Sequence, residues 1–181
     1  QAIPLLNKAL EIHPMNNKAW FLMANVHHLL GEMESNTPNV NLTLLNTALA
    51  AYEQADKYKG VGMDTIVAEF KSLCLMGIGK IMGEKFGDIN TGINFLEKAS
   101  SLDPKNAEAF LLLGTAYSMN QDFEKSITNT QKSLELRPDD RDTKKNLATA
   151  YQQYALADTK EKAGLLIAEK LLLDVLNEEK K

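Results

Sequence analysis

The chain has 181 residues, 44% of them apolar and 24% charged, with a formal net charge of −4. That balance is ordinary for a water-facing fold, and without clustered Lys and Arg it excludes the counterion-releasing surface that nucleic acid needs. A single cysteine, Cys74, excludes an internal disulfide and a cysteine-based zinc cage, and no apolar run reaches the roughly 20 residues of a membrane span.

In chain order, the first pattern is small–large–small closed by proline: Ala2, Leu6, Ala9 and Pro14. Trp20, Met23, Ala24, His27 and Gly31 follow at helical spacing. Between Glu32 and Leu44 lie Ser35, Asn36, Pro38, Asn39 and Asn41, which are turn and cap formers, so a longer loop or hairpin tip is expected there. A second small–large–small set is Ala48, Tyr52 and Ala55. Asp64 is a good N-cap for one long helix running to about Lys85. Gly77, Gly79 and Gly83 fall inside that helix, which predicts a kink or the close approach of a neighbouring helix. A third set is Gly92, Leu96, Ala99 and Pro104. From Ala107 the chain reads AEAFLLLGTAYSMNQDFEKSITNTQKSLELRP, ending at Pro138, 34 residues after Pro104. Leu147, Ala148 and Tyr151 repeat part of this segment. Asp158-Thr159-Lys160-Glu161 has the form of a capping box for a last helix to about Asn177.

Counting Ala107 as position 1 puts Phe110 at 4, Leu113 at 7, Gly114 at 8, Tyr117 at 11, Phe123 at 17, Ser126 at 20, Ser133 at 27 and Pro138 at 32. This resembles the tetratricopeptide repeat, a 34-residue helix–turn–helix unit. The resemblance implies an all-α chain of about nine helices, an α-α superhelix built from antiparallel pairs. It implies one array over 1–181. A lone second helix occupies 1–14, a repeat with an insertion at 32–44 occupies 17–60, and a repeat with a long first helix occupies 63–104. A regular repeat occupies 107–138, and a last repeat with a capping helix occupies 141–178. Small–large–small positions run 34 plus 12 and then 34 plus 10 residues apart before the regular interval. The chain starts at Gln1 already inside a helical pattern, so a piece of a longer protein is expected.

Chemistry is sparse. GIGK at Gly77–Lys80 lacks the second half of a phosphate loop, since Ile81 follows the lysine. His27 and His28 point about 100° apart on a helix and cannot share a metal. His27 is expected to be a packed core histidine, and His28 with Glu32 a solvated pair. Cys74, in the run LCLMGI, is expected to be a buried inert thiol. Asn41-Leu42-Thr43 fits the glycosylation sequon. No catalytic constellation, cofactor motif or metal set is legible, and the expected device is non-enzymatic.

The resemblance also implies that first helices line a concave face. The partner-binding candidates carried onto it are Phe21, Asn25, His28, Leu29, Leu111, Thr115, Met119, Lys145 and Gln152, with Ile81 and Glu84 on the long helix. Chaperone-binding members of the family place Lys, Asn and Arg at these positions to hold a carboxylate. Here Phe21, Leu111, Leu22 and Leu112 replace most of that set, and Asn25, Lys145 and Asn146 alone echo it. The expected function is capture of a protein or peptide segment, with no nucleic acid and no membrane insertion. The rival expectation is a scaffold: a homo-oligomer, or the regulatory part of a larger membrane-associated or multidomain protein. The compartment stays open between the cytoplasm and the extracytoplasmic side of a bacterial envelope.

Overall fold

The computed structural model describes residues 2–33, 37–58, 64–157 and 162–178. Every element there is a helix: α1 (Ala2–Ile12), α2 (Asn17–Gly31), α3 (Pro38–Lys57), α4 (Asp64–Phe86), α5 (Ile89–Leu102), α6 (Ala107–Met119), α7 (Phe123–Leu136), α8 (Arg141–Ala157) and α9 (Lys162–Glu178). The expected all-α architecture of helix pairs is present. α2 packs on α3, α4 on α5, α6 on α7 and α8 on α9. The helices gather into two compact units, Gln1–Asp103 and Pro104–Lys181.

Short polar side chains set the helix starts. Asn16 Oδ1 accepts from Ala19 N at 3.1 Å and Asn106 Oδ1 from Glu108 N at 3.1 Å, each before a first helix. Asp88 accepts from Thr91 N and Asp122 from Lys125 N, each before a second helix. These carboxylates and amides satisfy N–H groups that have no partner within the helix. Pro14, Pro104 and Pro138 each follow a helix end closely, since proline has no N–H to continue the ladder. The turns inside two of the pairs match: Gly87 has φ +70° and Gln121 has φ +62°.

One expectation changes here. The stretch 32–44, expected as a longer loop or hairpin tip, is not loop throughout. From Pro38 onward it is helix, with proline at the first turn where its fixed φ fits, and α3 reaches 20 residues. The turn formers Pro38, Asn39 and Asn41 begin α3 instead of filling a loop, while residues 34–36 lie outside the described residues. The stretch from Asp64 is the continuous 23-residue α4, with Asp64 inside its first turn rather than before it, and GIGK sits mid-helix with no loop to cradle phosphate. The capping box at 158–161 lies outside the described residues.

Glycine lets helices touch where Cβ atoms cannot fit. A Cβ on Gly92 would stand 2.8 Å from the Gly79 carbonyl oxygen, so α4 and α5 cross backbone to backbone. In the second unit a Cβ on Gly114 would strike Thr130 Oγ1 and lie 3.1 Å from the Ser126 carbonyl oxygen. The core of the first unit gathers Met23, Leu45, Tyr52, Val67, Cys74 and Ile78. Cys74 is buried, as expected. Burial pushes its thiol up to about 12, and Sγ donates to the Leu45 carbonyl at 3.0 Å. The second unit buries Leu113, Tyr117, Ile127, Leu147 and Ala150 beside small polar side chains, Ser126, Thr130 and Ser133.

Candidate functional site

The exposed faces of the first helices differ between the units. In the first unit α2 carries no charged residue between Lys18 and Glu32. Leu22 and Leu29, seven apart and therefore on one face, are 52% and 69% exposed. On α4, Ile66 and Leu73 repeat that spacing and are also exposed. The two helices meet through the rings of Phe21 and Phe70, edge to face with centroids 5.4 Å apart. Tyr52 from α3 completes the cluster, 5.9 Å from Phe21 and 6.1 Å from Phe70. Such ring pairs add about 0.5–1.5 kcal/mol beyond their buried area.

Polar groups sit behind this apolar stripe. The Tyr52 hydroxyl donates to Asn25 Oδ1 at 2.6 Å and is 3.2 Å from His28 Nδ1. Glu32 Oε1 lies 3.3 Å from His28 Nε2. Burial lowers the His28 pKa below 6.5, and Glu32 acts in the opposite direction. The histidine assignments are therefore exchanged. His28 is the buried ring, while His27 is half-buried and bonds the Met23 carbonyl one turn back at 2.9 Å. Spacing alone could not separate two adjacent histidines, because the choice depends on where Tyr52 arrives from another helix.

In the second unit the first helices join through polar atoms, with Ser118 Oγ donating to Gln153 Oε1. Thr115, Lys145 and Gln152 are exposed, Met119 is 49% exposed, and Leu111 is half-buried. Thr115 Oγ1 returns to the Leu111 carbonyl, and Lys145 Nζ lies 4.0 Å from Asp142.

A family model for the tetratricopeptide repeat matches residues 95–128. That segment is a tetratricopeptide repeat, and the helix pairs around it share the fold. Solved structures carry the same fold at low identity. MamA matches with TM-score 0.59 and 16% identity, over 98% of this chain and 86% of that one. A MamA chain described as 41-end, from Desulfovibrio magneticus RS-1, matches with TM-score 0.60 and 17% identity, over 98% and 84%. YrrB, described as a tetratricopeptide-repeat protein with an unusual peptide-binding site, matches with TM-score 0.50 and 17% identity, over 97% and 98%. No curated protein sequence matches significantly.

Within the tetratricopeptide-repeat frame, the candidate residues divide. Leu29, Thr115, Met119, Lys145 and Gln152 stand on open first-helix surface. Phe21, Asn25 and His28 are engaged in the Tyr52 cluster, so they shape the face from behind. Leu22, Ile66 and Leu73 are further exposed apolar positions that repeat spacing does not single out. Ile81 and Glu84 line a separate cleft of about 580 Å³ with Glu32, Asn41 and Lys80, between the end of α2, the start of α3 and the end of α4. Among the described residues no group of three metal-ligating side chains converges, and no helix is long and apolar enough to cross a membrane.

Proposed function

We propose that this chain is a protein–protein interaction module that holds a peptide or protein segment against its first helices, with the principal anchors in the first unit. The observation that carries this reading is the uncharged, exposed stripe of Leu22 and Leu29 on α2, beside Ile66 and Leu73 on α4. Exposed apolar surface of this kind on a water-facing fold marks a contact site, and repeat arrays use such faces for extended partners. Two rows at seven-residue spacing suit the apolar side of an amphipathic helix. The polar positions Thr115, Lys145 and Gln152 of the second unit would supply hydrogen bonds to the same class of partner. The peptide-binding description of YrrB agrees with this reading. The test is the double substitution Leu22→Glu with Leu29→Glu. Capture of the native partner is expected to fall at least tenfold with the melting temperature unchanged, and undiminished capture would refute the assignment.

A further inference from the structure

Asn25, Tyr52 and His28 form a hydrogen-bonded row with separations of 2.6 and 3.2 Å, and Glu32 Oε1 stands 3.3 Å from His28 Nε2 as an ion-pair contact without hydrogen-bond geometry. Tyr52 and His28 are buried, Asn25 is half-buried, and the Asn25 amide nitrogen has no partner among the described residues. A hydroxyl has one proton, so the row has two directions. If Tyr52 donates to Asn25 Oδ1, its oxygen accepts from His28 Nδ1–H. If Tyr52 donates to His28 Nδ1, its oxygen accepts from the Asn25 amide nitrogen instead. The Glu32 carboxylate, 3.3 Å from Nε2, favours the neutral ring that carries its proton there, which leaves Nδ1 as an acceptor. A second proton can go only to Nδ1, which forces the first direction, the one with Oδ1 toward the hydroxyl.

Resting on the binding face assigned above, we propose that protonation of His28 reverses this row and turns over the Asn25 amide. The first-helix face then offers a carbonyl acceptor when His28 is neutral and an NH2 donor when it is charged. A partner read through an N–H at Asn25 near neutral pH is therefore held more weakly in acid. The surroundings supply few competing charges. On α2, Glu32 attracts the imidazolium. On α3, burial raises the Tyr52 pKa and keeps the phenol protonated. On α4, Cys74 stays a thiol, and Lys80, Glu84 and Lys85 line the same cleft as Glu32. Burial of the ring sets the change below pH 6.5.

Nitrogen NMR of the intact chain between pH 8 and pH 4.5 tests this without a partner, so its failure is separable from failure of the binding-face assignment. The expected result is a neutral His28 protonated at Nε2, with the Asn25 side-chain amide shifting at the midpoint of His28. Tyr52→Phe should leave His28 titrating and abolish the Asn25 response. Glu32→Gln should lower both midpoints together. An Asn25 amide that stays still while His28 titrates would overturn the proposal. So would one that responds equally in Tyr52→Phe, a neutral ring protonated at Nδ1, or a midpoint that moves for His28 alone in Glu32→Gln.

Discussion

The two units build their first-helix faces from different materials. In Gln1–Asp103, α2 and α4 meet through Phe21 and Phe70, and the flanking surface is leucine and isoleucine. In Pro104–Lys181, α6 and α8 meet through Ser118 and Gln153, and the flanking surface sets Met119 among the polar Thr115, Lys145 and Gln152. The repeat dictates small residues where helices cross, at Gly92 or Gly114, but leaves these face positions free. One fold can thus carry an apolar anchor in one place and a hydrogen-bonding surface in another. Affinity is expected to concentrate on the first, because desolvated apolar anchors carry most binding energy while exposed polar contacts exchange with water.

The first unit's face is most sensitive at Tyr52. Tyr52→Ala removes a fully buried ring and the hydroxyl that bonds Asn25, and is expected to cost about 3–5 kcal/mol. Trp20, the chain's single tryptophan, reports this unfolding by fluorescence in urea. In the second unit, Gly114→Ala is expected to cost about 1–3 kcal/mol by overpacking against Thr130 and Ser126, read as a lower melting temperature. The pH dependence should separate the units further. His28 has a folded pKa below 6.5, so the unfolded chain binds its proton more readily. The first unit therefore keeps the full contribution of His28 above pH 6.5 and loses it as pH falls through the folded value. Urea midpoints followed by Trp20 should drop between pH 7.5 and pH 5, and His28→Gln should flatten that drop. The smallest effect belongs to Ser118→Ala, expected at about 1 kcal/mol or less in chemical denaturation, since the Ser118 hydroxyl is only half-buried.

Much of the fold is legible in the sequence because repeat positions are set by packing and chain chemistry. Gly114, Ser126 and Ser133 lie where a Cβ or a larger side chain would collide, and the Asn16, Asp88, Asn106 and Asp122 caps answer unpaired N–H groups. Residues 38–44 read as part of a loop or hairpin tip yet fold as helix because Pro38 and Asn39 favour helix starts as much as loops. The candidate site is less legible. Phe21, Asn25 and His28 occupy first-helix positions, yet Tyr52 draws them inward from a different helix, a tertiary contact that no local spacing encodes. Leu22 and Leu73 stay exposed for the converse reason: nothing in a one-dimensional pattern tells an apolar residue in the core from one left open beside it.

Site-specific photocross-linking with the native partner tests the central claim most directly, using the photoreactive residue in place of Leu29 in one chain and Gln152 in another. Strong cross-links are expected from Leu29 and weak ones from Gln152. Cross-links from Gln152 with none from Leu29 would contradict it.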